Sequence, residues 1–136
     1  MTKAIPTVSK FMSTNPHSIG RDQTLAKASH MMREYNIRHL PVLDGGRLAG
    51  IITARDIALV ETLRDVNPDE VTVEDAMSED VYTVSPDAPL DEVVGEMASR
   101  KYGSAVVMHN QKVVGIYTTV DVCSTLSDLL HTRLSK

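Results

Sequence analysis

Two aspartates stand in the same small frame. Asp56 closes the run Gly50-Ile51-Ile52-Thr53-Ala54-Arg55-Asp56, and Asp121 closes Gly115-Ile116-Tyr117-Thr118-Thr119-Val120-Asp121. In both, a glycine and a short apolar strand lead to a threonine, and a carboxylate follows three residues later. A threonine at a strand-to-helix handover can cap the helix, and its junction presents first-turn N–H groups that suit an anion. The carboxylate can do either of two things. It can bond back to the threonine N–H, a variant of the Ser/Thr-x-x-Glu/Gln capping box one methylene shorter than usual. It can also accept two hydrogen bonds from the vicinal hydroxyls of a ribose, each charge-assisted and worth roughly 1.5–3 kcal/mol. Both readings stand on the spacing alone.

Arg38, His39 and Arg55 are the residues suited to phosphate. Arginine presents a permanently charged planar fork that matches phosphate oxygens. Histidine is mostly neutral at pH 7, and an adjacent phosphate favours its protonated form. Solvated surface side chains are the plain alternative. Ser18 and Thr83 begin short strands whose backbone could read the edge of a base, or they are ordinary turn residues. Cys123 has no cysteine partner and reads as a buried structural thiol. The five histidines are dispersed, without the close pair a metal site needs. Glu92 and Glu96 fit a solvated helix face better than an acid–base pair. Met12, Met32, Met77 and Met97 read as core filling.

A duplication positions these residues. Shifting the chain by 65 residues aligns Val8–Ile57 with Val73–Val122 without a gap. Identities include Val8/Val73, Met12/Met77, Leu25/Leu90, Met32/Met97, Val42/Val107, Gly50/Gly115, Thr53/Thr118 and Asp56/Asp121. Each copy predicts a helical turn, a brief strand, an amphipathic helix, a hairpin and a final helix. Leu25, Ala28, Met32 and Tyr35 fall at helical spacing after a capping Thr24, and Leu90, Val93, Val94 and Met97 do so after Asp87 and Pro89. Asp44-Gly45-Gly46-Arg47 predicts a tight turn between Leu40–Leu43 and Leu48–Ile52; His109-Asn110-Gln111-Lys112 takes its place in the second copy. Final helices are expected over Ala54–Leu63 and Thr119–Leu130. Val66-Asn67-Pro68-Asp69-Glu70 reads as a polar linker, and Leu134-Ser135-Lys136 as a frayed end.

Composition narrows the function classes. The 136 residues are 42% apolar with a net charge of −4. That suits a folded interior and shows no basic stripe for nucleic acid. Aromatic residues are only 4%, with no tryptophan, too few for a base-stacking platform. No apolar run approaches the roughly 20 residues that span a bilayer. Met1-Thr2-Lys3-Ala4-Ile5-Pro6 lacks a signal-peptide core, so a reduced, cytoplasmic setting is expected.

Ile37-Arg38-His39-Leu40-Pro41-Val42, the Gly50–Asp56 run and its echo at Gly115–Asp121 together resemble a tandem pair of cystathionine-β-synthase-type (CBS) domains, a Bateman module. The resemblance runs from about Val8 to Leu130. It implies an α/β (α+β) fold in which two pseudo-twofold-related β-α-β-β-α repeats, 8–65 and 73–130, pack through their sheets. It also implies a regulatory, non-catalytic module for adenosine nucleotides (AMP, ADP or ATP), sometimes S-adenosylmethionine. The nucleotide would be a regulatory ligand, with no tightly required cofactor. Carried onto this chain, one cleft would use Thr118 and Asp121 with Ser18, Arg38, His39 and Pro41. The other would use Thr53, Arg55 and Asp56 with Tyr82, Thr83, Ser104 and Val106. Gly103-Ser104-Ala105-Val106 replaces Arg38-His39-Leu40-Pro41, so the two sites are expected to differ. The family pairs such modules into disc-shaped dimers, so a homodimer signalling to an effector protein is expected, with no nucleic acid and no membrane. The alternative is an assembly module that dimerises without nucleotide.

Overall fold

The structure is a computed structural model and describes residues 4–134. Met1–Lys3 and the last two residues of the expected frayed end, Ser135 and Lys136, lie outside the described ones; the final helix runs through Leu134. In chain order the elements are a 3-10 turn (Val8–Lys10), β1 (Ser13–Thr14), β2 (Ile19–Gly20), α1 (Leu25–Tyr35), β3 (His39–Asp44), β4 (Arg47–Thr53), α2 (Ala54–Glu61), α3 (Val73–Ala76), β5 (Thr83–Val84), α4 (Leu90–Arg100), β6 (Ser104–His109), β7 (Lys112–Thr118) and α5 (Thr119–Leu134). The described residues form two compact units, Pro16–Val81 and residues 4–15 with 82–134.

In the unit Pro16–Val81, β2 runs parallel to β3, and β3 pairs antiparallel with β4. Asp44-Gly45-Gly46-Arg47 makes the turn with φ of +56° and +85° at its two glycines, at little steric cost. Leu25, Ala28 and Met32 face the sheet from one side of α1, and with Leu40, Val42, Ile52, Ile57 and Val73 they form the core. Thr24 caps α1 by accepting from the Lys27 N–H at 3.2 Å. The segment expected as a linker is built into this unit: the Ala26 N–H donates to the Pro68 carbonyl and the Leu25 N–H to the Val71 carbonyl.

The second unit repeats the plan with β5 parallel to β6, β6 antiparallel to β7, and β1 added antiparallel along β7. Its core is Val8, Leu90, Val93, Met97, Ala105, Val107 and Tyr117. These are the positions 65 residues from their counterparts in the first core, with Tyr117 in place of Ile52. Asn110 and Gln111 hold the hairpin turn at φ of +51° and +64°, a region side chains other than glycine seldom adopt.

The sequence repeats and the compact units are offset. Val73, which opens the second repeat, is buried with first-repeat residues, and Val8 is buried with second-repeat residues. The Met-Ser pair that follows each lies along a glycine-bearing strand. Ile51 and Ser78 exchange backbone hydrogen bonds, each 2.9 Å, while Ser13 pairs with Ile116. Met77 covers Gly50 and Met12 covers Gly115, which is why both motifs begin with glycine.

Two strand-to-helix junctions as the candidate functional site

Thr53 ends β4 in extended conformation and caps α2. The Asp56 N–H donates to Thr53 Oγ1 at 3.1 Å, and the Thr53 N–H donates to Asp56 Oδ2 at 2.9 Å. The capping box is therefore formed, and it engages Oδ2 alone. His39 lies opposite Thr53 in the ladder, and the Ala54 N–H donates to the Arg38 carbonyl at 2.9 Å. One end of one sheet thus gathers Arg38, His39, Thr53, Arg55 and Asp56. Arg38 and Arg55 are exposed, and neither makes an ion pair among the described residues. Pro41, opposite Ile51, is fully buried and supports this end from behind.

The second junction has the same box with more partners. The Asp121 N–H donates to Thr118 Oγ1 at 3.3 Å; the Thr118 N–H and hydroxyl donate to Asp121 Oδ2 at 2.8 and 3.2 Å. The Ser13 hydroxyl reaches Asp121 Oδ1 at 3.4 Å, a long bond between exposed groups. Ser104 lies opposite Thr118, and the Thr119 N–H donates to the Gly103 carbonyl. The counterparts of Arg38, His39 and Arg55 here are Gly103, Ser104 and Val120, so the unit's own residues bring no cation to these positions. Thr83 pairs with the buried Val106, whose N–H donates to the Tyr82 carbonyl at 2.9 Å. The Tyr82 ring stacks on Tyr102 at 5.2 Å between centroids.

One pair at this junction escaped the sequence reading. Thr125 Oγ1 donates to the Asp121 carbonyl at 2.8 Å and sits 2.8 Å from the hydroxyl of the fully buried Tyr117. The threonine's only proton is spent on Asp121, so Tyr117 donates to Thr125. The first-repeat counterparts are Ile52 and Val60. Two apolar positions becoming polar together was a readable signal.

Burial pushes the Tyr117 phenol above its ordinary value of 10, and the charge of Asp121 adds to it. The neutral phenol is favoured only in the folded chain. Its contribution to stability is full below pH about 10 and is lost as pH rises from there through the folded value. Tyr117→Phe is expected to flatten the fall in stability above pH 10, measured by urea unfolding across pH 8–11. Tyr82 is raised as well, by burial first and by Glu96 and Glu92 next, so the variant keeps part of the slope.

A pocket of about 430 Å³ opens at the other end of the first sheet, lined by Ser18, Gly20, Arg21, Asp22, Asp44 and Gly46 among others. Of the residues nominated from sequence, Ser18 alone lines it. It lies at the hairpin end of β3, on the order of 17 Å along the strand from His39. Arg21 is already paired there with Asp44 at 3.3 Å and Glu74 at 3.4 Å, both largely solvent-facing. Asp56 and its capping box lie at the opposite end of this sheet from the pocket. Among the described residues no group of three His, Cys, Asp or Glu is placed to hold a metal, and no helix is long and apolar enough to cross a membrane.

Comparison with known proteins agrees with this architecture. The model of the CBS domain matches twice, over residues 8–61 and 73–128, and the chain belongs to that family. Hypoxic response protein 1 of Mycobacterium tuberculosis is 28% identical over 90% of this chain and 86% of its own length. A solved structure of Hypoxic Response Protein I with two coordinated zinc ions superposes with a TM-score of 0.74 at 27% identity, over 88% of this chain and 98% of that one. The CBS domain pair of protein MJ0100, solved with 5-methylthioadenosine and S-adenosyl-L-methionine, superposes with a TM-score of 0.80 at 29% identity, over 92% and 98% of the two chains. A Vibrio cholerae protein named for acetoin utilization (AcuB) gives 0.85 at 30%, over 97% and 98%.

Proposed function

We propose that the chain is a regulatory module that binds an adenosine nucleotide of the AMP, ADP or ATP class and reports its presence to a partner protein. One observation carries the reading: each capping box uses only Oδ2 of its aspartate, so the cap leaves Oδ1 to a sugar hydroxyl, which at Asp121 would displace the long Ser13 bond. The cap and the ligand are then not rivals. The box holds a carboxylate at the surface in a fixed pose, and a fixed acceptor loses less entropy when a diol arrives. The MJ0100 pair, crystallised with two adenosine-bearing ligands that carry no phosphate, supports the adenosine part of this ligand.

In this reading the family's cleft pattern applies. Thr118 and Asp121 act with Ser18, Arg38, His39 and Pro41; Thr53, Arg55 and Asp56 act with Tyr82, Thr83, Ser104 and Val106. Arg38, His39 and Arg55 favour a phosphorylated ligand. The module works by binding, in the cytoplasm, as a homodimer. Exposed Leu59 on α2, Leu63 just past its end, and Leu126, Leu129 and Leu130 on α5 support a covered helical face. The test is calorimetric titration of the purified chain with AMP, ADP and ATP. Saturable heat is expected; no heat up to about millimolar ligand, below roughly 4 kcal/mol of binding, overturns the reading. Sedimentation in parallel checks the second reading, which those exposed leucines favour: a dimer indifferent to nucleotide.

A further inference from the structure

Asp56 and Asp121 look interchangeable in sequence but are not held alike. For Asp56, Oδ2 accepts from the Thr53 N–H, and the residues behind it, Ile52 and Val60, are apolar. Asp121 is held at three points: Oδ2 by both donors of Thr118, Oδ1 by Ser13, and its backbone carbonyl by Thr125, which Tyr117 anchors from inside the core. A threonine bonding back to the carbonyl four residues earlier is common in helices and by itself leaves the hydroxyl free to rotate. The buried phenol removes that freedom. It fixes the first turn of α5 to β7, the strand that ends at Thr118.

We propose that Tyr117 and Thr125 are positioning residues for Asp121, and that they make its junction the more preorganised of the two ribose anchors. This rests on the nucleotide reading above. The Tyr117–Thr125–Asp121 chain fixes where the carboxylate stands before a ligand arrives. Ser13, at 3.4 Å from Oδ1, occupies one lone pair that a ribose hydroxyl would take, and a bond that long is readily exchanged. Among the described residues the Asp56 junction shows no such chain, and the bonds at its carboxylate are those of the cap.

The experiment uses the full chain and two readouts. Amide hydrogen exchange without nucleotide follows Thr118 and Thr53, the two N–H groups bonded to the aspartates. In Tyr117→Phe and Thr125→Val, Thr118 is expected to exchange about 10-fold faster while Thr53 is unchanged, and Thr125→Ser, which keeps the hydroxyl, is expected to match the parent. Titration with AMP and with ATP then follows the binding event that Asp121→Ala removes. It is expected to weaken about 3- to 10-fold in Tyr117→Phe, the share of one hydrogen bond, with the Asp56-dependent event unmoved. An unchanged Thr118 amide, or equal acceleration at Thr118 and Thr53, overturns the positioning role, because the pair would then only fill the core. Exchange as expected with nucleotide binding indifferent to Asp121→Ala overturns the ligand reading instead, and the pair's role at a ribose anchor with it.

Discussion

Asp121→Ala is expected to weaken nucleotide binding about 10- to 150-fold, the equivalent of roughly 1.5–3 kcal/mol for charge-assisted bonds to a ribose diol. It also removes one arm of the capping box and a negative charge from the first turn of α5, at a cost of about 0.5–2 kcal/mol in stability. The alanine variant alone therefore leaves room for dispute. Asp121→Glu separates the two effects. Glutamate is the usual reciprocal partner at this position, so the cap survives and stability is expected to stay within about 0.5 kcal/mol of the parent. The carboxylate is displaced by one methylene, and the oxygen that the cap leaves open no longer stands where the diol needs it, so binding is expected to fall at least 10-fold. Calorimetry and urea unfolding on the same samples read both quantities. Binding retained in the glutamate and alanine variants alike, with stability lost only in alanine, would leave the aspartate a helix cap and nothing more. The same pair of substitutions at Asp56 is expected to behave alike, with Thr53 as the capping partner.

Much of this was legible because duplication turns one weak pattern into two that check each other. Leu25, Ala28 and Met32 alone suggest an apolar helix face. Their return as Leu90, Val93 and Met97 marks them as core, and the structure buries all six, whereas Tyr35, read on the same face, and Cys123, expected to be buried, are exposed. The Gly-Gly turn and both Thr-x-x-Asp boxes were local chemistry and could be read locally. What stayed hidden was long-range. Val8 and Val73 are identical, so nothing in either residue states which sheet it will cover, and the structure seats each with the other repeat's strands. Ser13 near Asp121 and Tyr117 against Thr125 depend on the same kind of tertiary information. The choice between helix cap and ribose anchor was itself misframed at the level of sequence. A carboxylate has two oxygens, and the cap spends one.

The glycines that open the two motifs give the second large effect, and they are expected to differ. Neither sits at positive φ, so alanine fits the backbone at both, and the cost is steric. At Gly50 an added Cβ would stand 2.6 Å from the Ser78 carbonyl oxygen and 2.7 Å from Met77 Sδ. The first of these is backbone, held by the paired 2.9 Å bonds between Ile51 and Ser78. Relief requires lifting the segment after α3 off β4, and Gly50→Ala is expected to cost about 3 kcal/mol or more. At Gly115 the three atoms nearest the Cβ all belong to Met12, with Sδ nearest, Cε at 2.9 Å and Cγ at 3.0 Å. A thioether with three rotatable bonds can turn aside, so about 1–2 kcal/mol is expected. Double-mutant cycles make the contrast sharper. Met12→Ala is expected to recover about 1 kcal/mol in the Gly115→Ala background, whereas Met77→Ala recovers little beside Gly50→Ala, because the Ser78 carbonyl remains. Equal costs at the two glycines, measured by urea unfolding, would mean that side-chain contact and not backbone pairing sets the approach at both strands. The consequence reaches the site: Gly50 is three residues from Thr53 on β4, so a strand displaced at the glycine carries the capped aspartate with it.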